Sequence, residues 1–172
     1  VDAAVATSFA LAVVNPEAGN IGGGGFMVRR LGDGTPATLD YRERAPMGAS
    51  RDMYLDEAGE LTDASTVGHR AVWVPGAVAG LWEAHQRYGQ LPWADLVQPA
   101  VALAEGFEVR ERQARQLRMA EEDLRIFPTT EATFLPGGAP PEVGDLFAQP
   151  ELAATLGRIA AQGRDPGLEP AG

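Results

Sequence analysis

Few residues of this chain are equipped for chemistry, and Arg42 is the first to weigh. It sits in Leu39-Asp40-Tyr41-Arg42-Glu43-Arg44-Ala45-Pro46, at the end of a segment that reads as a strand. A guanidinium at a strand end can grip a carboxylate through two parallel hydrogen bonds. It can also pair with Asp40, two residues along the same face, or with Glu43, and spacing alone favours that structural pair. His69 and His85 stand far apart, and neither has an HxxxH or HExxH partner, so a metal site is not expected. His85 falls on an apolar helical stripe, the position of a core-edge histidine. The glycine run 22–25 invites a phosphate-loop reading. Such a loop follows a strand and opens a helix, whereas here the order is helix, glycines, strand, with no Gly-Lys-Ser/Thr. A tight backbone passage with positive φ and close packing is the plainer reading. Thr129-Thr130 reads as an ordinary turn or N-cap.

Composition narrows the chemistry further. The chain has 172 residues, the size of one domain or a large part of one. It is 45% hydrophobic and 22% charged, which places it among folded rather than disordered chains. It has no cysteine, which removes disulfides, thiolate catalysis and thiolate-bound metals together. All 14 basic residues are arginine, so neither a lysine Schiff base nor a P-loop lysine is available. The formal net charge of −10 repels phosphate backbones and argues against nucleic acid as a partner. No apolar run approaches the ~18 residues of a membrane span. No leader is visible ahead of Val1, and both ends read as cuts in a longer protein.

The elements that must position these residues follow from periodicity. Residues 1–14 read as a helix, apolar nearly all round and so expected to be buried on more than one side. Asn15-Pro16 stops it. Residues 26–30 and 37–42 read as strands joined by a Gly/Asp/Pro turn, a β-hairpin with Leu39 and Tyr41 on one face and Thr38, Asp40 and Arg42 on the other. Residues 69–74 could form a further strand. A helix opens at Pro75 and ends near Gly89. Pro99 is expected to break residues 92–105 into two short helices. Residues 110–124 read as one surface helix with Glu111–Arg115 and Arg118–Glu122 pairs. Residues 128–146 read as a Pro/Gly-rich connection, and residues 150–161 as a last helix, with Leu152, Leu156 and Ile159 inward and Gly163 as its stop. The result is a mixed α/β (α+β) chain, a sheet covered by helices on at least one face.

Read in order, several segments resemble the γ-glutamyltransferase family. They are Val1-Asp2-Ala3-Ala4-Val5-Ala6, Asn20-Ile21-Gly22-Gly23-Gly24-Gly25-Phe26-Met27, Asp40-Tyr41-Arg42-Glu43 with Ala45-Pro46, and Arg51-Asp52-Met53-Tyr54-Leu55. Val74-Pro75-Gly76-Ala77-Val78-Ala79-Gly80-Leu81, Tyr88-Gly89-Gln90-Leu91-Pro92-Trp93 and Gln98-Pro99-Ala100 continue the series, which is in register to about Phe107 and weaker to Gly163. The resemblance implies a single incomplete domain over residues 1–172, the large-subunit part of a self-cleaving precursor. It implies a partial N-terminal-nucleophile hydrolase αββα sandwich that uses no metal or organic cofactor. The nucleophile would be the new N-terminal threonine of the small subunit, attacking glutathione or another γ-glutamyl amide. Arg42 matches the family's arginine for the α-carboxylate of the γ-glutamyl group. No catalytic residue carries over: Thr129-Thr130 is followed by Glu131 where the family has histidine, and it comes too early. Near Ala104-Glu105-Gly106 the chain is one residue short of the pattern. The resemblance also implies export to the periplasm or beyond. The alternative readings are a relative with the same scaffold and another acyl group, such as a cephalosporin-type acylase or a polyglutamate-cleaving enzyme, and a truncated, inactive family member.

Overall fold

The computed structural model describes residues 1–164. They form an α+β structure in two compact units, residues 1–20 with 85 onward, and residues 21–84.

The first unit is a helical packing. Helix α1 (Asp2–Val14) buries Val5, Phe9, Ala12 and Val13, one stripe at helical spacing. Ala3, Ala4, Thr7 and Leu11 stay exposed, so the described residues cover α1 on one side, not several. Helix α2 (Ala77–Tyr88) contributes its last turn here, and the Gly89 amide closes it on the His85 carbonyl. Helix α3 (Trp93–Glu105) packs against α1 and runs unbroken through Pro99. An internal proline costs a helix roughly 3 kcal/mol. The cost is offset because Pro99 faces solvent while Trp93, Leu96, Val97, Ala100, Val101 and Ala104 are buried along the opposite face. The Gly106 amide ends the helix on the Leu103 carbonyl.

Strand β3 (Phe107–Glu108) follows, and then the expected surface helix is divided at Ala120 into α4 (Glu111–Met119) and α5 (Glu121–Leu124). Neither expected i,i+4 pair forms among the described residues. Arg125 bridges Glu121 and Glu131 instead, and its guanidinium is raised above its ordinary pKa by the bond to Glu121. The segment read as a connection holds helix α6 (Pro128–Phe134) and strand β4 (Leu146–Phe147). β4 pairs antiparallel with β3, bringing Phe107 edge-on to Phe147. Helix α7 (Pro150–Gln162) buries Ala153, Leu156 and Ile159 against α3, and Gly163, at φ +75°, stops it. Leu152, expected inward, is only half-buried.

Two polar ties cross this core. Trp93 Nε1 donates to the Ile159 carbonyl at 2.8 Å, its ring edge-on to Phe9. Gln149 is the buried polar residue among the described ones. Its side chain donates to the Val13 carbonyl and its backbone N–H to the Ala104 carbonyl, so both its nitrogens are hydrogen-bonded.

In the second unit β1 (Phe26–Arg30) and β2 (Pro36–Asp40) form the expected hairpin, with Phe26 opposite Asp40 and Arg30 opposite Pro36. Asp33 accepts the Thr35 amide in the turn and Gly34 takes φ +87°. That hydrogen bond holds the Asp33 carboxyl below its ordinary pKa. Residues 69–74, read as a possible strand, instead hold a 3-10 turn (His69–Ala71) and a single bridge from Val74 to Arg44. The turn forms because the Ala71 and Val72 amides fold back on the Gly68 and His69 carbonyls, leaving no ladder donors there.

Candidate functional site

Arg42 lies two residues beyond β2, on a backbone fixed from both sides. Before it, Tyr41 and Gly25 exchange both backbone hydrogen bonds, at 3.0 and 3.3 Å, adding one pair to the hairpin. After it, Arg44 and Val74 exchange theirs, at 3.1 and 2.8 Å. The Arg42 amide belongs to neither ladder, because Asp40 Oδ1 accepts it at 3.0 Å. This Asx-type turn ends β2 at Asp40, short of the expected Arg42. The alternation of exposure continues past the strand: Leu39 and Tyr41 are half-buried, Asp40 and Arg42 exposed.

The structural pair that spacing favoured does not form. Asp40 spends its Oδ1 on the Arg42 main chain, and among the described residues the guanidinium has no ion pair with Asp40, Glu43 or any other group. A guanidinium with five donors thus leaves a clamped backbone toward solvent, and planar anions are the groups such a fork matches in general.

The glycine passage serves this segment, though not through positive φ. None of the glycines 22–25 is among the positive-φ residues, which lie elsewhere in the chain. What Gly24 and Gly25 need is the absence of a side chain. A Cβ at Gly24 would lie 2.5 Å from the Glu43 nitrogen and 2.6 Å from the Tyr41 carbonyl oxygen. The Gly23 carbonyl accepts both the Gly76 and Ala77 amides at 2.9 Å, capping the start of α2. The passage therefore satisfies a helix N-terminus with protein backbone rather than with a phosphate.

The other candidates are placed outside this site. His85 Nε2 donates to the Leu91 carbonyl at 2.8 Å and its ring lies 5.3 Å from that of Trp93, a structural clasp at the end of α2. Asp2, not singled out by its sequence context, closes the same corner by accepting the Gln90 and Leu91 amides at 3.1 Å. Desolvation pushes the Asp2 carboxyl up, but the opposing effects, led by these two amides, hold the pKa below the ordinary value. Thr129 and Thr130 lie within α6, where the Thr129 carbonyl accepts the Thr133 hydroxyl. Among the described residues no cluster of three potential metal ligands occurs, and no helix is long and apolar enough to cross a membrane.

Known proteins share both the sequence and the geometry. The gamma-glutamyltranspeptidase family model matches residues 1–167. The glutathione hydrolase proenzyme of Pseudomonas aeruginosa is 50% identical over 167 residues, which is 96% of this chain and 29% of that protein. The acylase ACY 1 proenzyme of Pseudomonas sp. (strain SE83) is 42% identical over 173 aligned residues, 96% of this chain and 31% of that protein. The crystal structure of Helicobacter pylori gamma-glutamyltranspeptidase superposes with a TM-score of 0.92 at 43% identity, covering 96% of this chain and 48% of that one. The chain thus spans under a third of the length of these two proenzymes and about half of the Helicobacter pylori chain, and its α+β structure is a segment of the N-terminal-nucleophile hydrolase fold. It belongs to the gamma-glutamyltranspeptidase family.

Proposed function

We propose that the intact protein is a self-processing γ-glutamyl hydrolase or transferase, and that Arg42 of this segment binds the α-carboxylate of the γ-glutamyl donor. The observation that carries the reading is the Arg42 guanidinium, held on a backbone paired on both sides and without an internal anion among the described residues. Likeness to a glutathione hydrolase proenzyme supports the donor class. In this reading residues 1–172 are an incomplete domain of the large subunit. The small subunit of the same precursor supplies the nucleophilic threonine, whose α-amine acts as the base. Thr129-Thr130 does not serve, since cleavage before either would have to open α6. The segment alone then neither cleaves itself nor turns over substrate. The hairpin offers a face for further layers of the protein, with Phe26 65% and Val28 78% exposed. Export to the periplasm or beyond follows from the family.

Acylase ACY 1 gives a second reading, in which the same scaffold accepts a different acyl group. An unpaired arginine at position 42 still favours an acyl group bearing a carboxylate. The deciding experiment gives the intact protein two anilides, one γ-glutamyl and one with the α-carboxylate removed. Release from the γ-glutamyl anilide alone is the expected result. Equal release from both sinks the carboxylate reading, and release from neither sinks the activity.

A further inference from the structure

We infer that Tyr41 is the positioning residue of the Arg42 site, seated in a slot built from glycine backbone. The inference rests on the reading of Arg42 as the carboxylate fork.

Three glycines from two separate segments meet one residue, Gly80 and Gly25 at its side chain and Gly76 at its main chain. A Cβ at Gly80 would lie 2.1 Å from Tyr41 Cγ and 2.2 Å from its Cβ. A Cβ at Gly25 would lie 3.0 Å from Cε2 of the ring and 3.1 Å from its hydroxyl. A Cβ at Gly76 would lie 2.1 Å from the Tyr41 carbonyl oxygen. The ring is thus held between the passage that leads into β1 and the start of α2. Its main chain is pinned in the same place by the exchange of hydrogen bonds with Gly25. Tyr41 points inward and is half-buried, while Arg42, the next residue, points outward and is exposed. Because adjacent side chains leave an extended backbone in opposite directions, the depth of the ring in its slot sets the height and direction of the guanidinium.

This arrangement accounts for features the fold alone does not require. A glycine at position 80, inside a helix, costs stability relative to alanine. The loss is tolerated because any larger residue there evicts the ring. A Cβ at position 80 would lie 2.1 Å from Tyr41 Cγ, so an alanine there forces the side chain back by well over ~1 Å before ordinary contact is restored, and a misplacement of even ~1 Å in a binding group can cost up to ~100-fold.

The test uses the intact protein with the γ-glutamyl anilide and the analogue lacking the α-carboxylate. The variants are Gly80→Ala, Tyr41→Ala, Tyr41→Phe and Arg42→Ala. Tyr41→Phe keeps the ring and is expected to match the parent with both donors. Gly80→Ala and Tyr41→Ala are expected to raise KM for the γ-glutamyl anilide by ~10-fold or more, with kcat little changed and the analogue unaffected. Equal losses on both donors, or an unchanged KM, would overturn the inference. Should Gly80→Ala not fold, Tyr41→Ala decides, because it removes atoms instead of adding them. Arg42→Ala separates the two readings. If it shows no carboxylate-selective loss, the fork itself is wrong. If it shows that loss and Tyr41→Ala does not, only the positioning role fails.

Discussion

Arg42→Lys divides binding from folding more sharply than any other change in this chain. The side chain is exposed and has no partner among the described residues, so its replacement removes no native interaction. Surface changes of that kind alter stability by about 0.5 kcal/mol at most. Binding is another matter. The charge-assisted pair as a whole contributes ~1.5–3 kcal/mol, and the guanidinium makes it through two parallel bonds where an ammonium presents a single point. Removing the fork entirely, as in Arg42→Ala, is expected to weaken donor binding by about 10- to 150-fold, at 1.4 kcal/mol per decade. Lysine retains the charge and forfeits one arm of the fork, so ~10-fold is expected. The assay pairs KM for the γ-glutamyl anilide with the urea midpoint of the same protein. A midpoint that falls in step with the binding loss would mean that Arg42 supports the fold through contacts absent here. A KM unmoved by Arg42→Ala would mean that another group holds the carboxylate.

Asp40→Ala frees the Arg42 amide from its 3.0 Å acceptor, and KM should rise by a few-fold, about one neutral hydrogen bond's worth. Asp40→Asn keeps a side-chain oxygen and should restore KM; failure to do so removes the Asx turn from the account. Asp2 carries a depressed pKa, so its stabilising effect is complete above the unfolded-state value and is lost as pH falls through the folded one. The deficit of Asp2→Asn in urea midpoint should therefore be larger at pH 7 than at pH 3, and a constant deficit would assign it to packing. Trp93→Phe removes the 2.8 Å bond to the Ile159 carbonyl. That carbonyl still accepts the Gly163 amide at 2.9 Å, so no acceptor is orphaned, and a loss of about 1–2 kcal/mol in urea unfolding is expected. An unchanged midpoint would show that the tie between α3 and α7 is not formed.

Where the sequence could be read, and where it could not, turns on which physical property each residue uses. Alternation along residues 37–42 predicted the outward direction of Arg42, because side-chain direction in extended chain depends only on parity. The hairpin, α1 and α7 were legible for the same reason, since their burial follows a single period. Pro99 misled because local propensity was weighed without the six buried residues of α3 that outweigh it. The β3–β4 ribbon was invisible because two residues carry no period at all. The glycines failed in a more instructive way. Glycine has two uses, positive φ and the lack of a Cβ, and a sequence shows the letter without saying which use applies. At Gly34 and Gly163 it is the angle. At Gly24, Gly25, Gly76 and Gly80 it is the room, and every one of those contacts falls on residues 41–43. Two glycine-rich stretches about fifty residues apart thus answer to one short segment. The spacing of Asp40 and Arg42 favoured a side-chain pair because parity puts them on one face, yet Asp40 satisfies the backbone instead. What parity cannot report is which of several donors a short acceptor side chain reaches first, and at Asp40 that donor is the amide of the very residue whose guanidinium it would otherwise have neutralised.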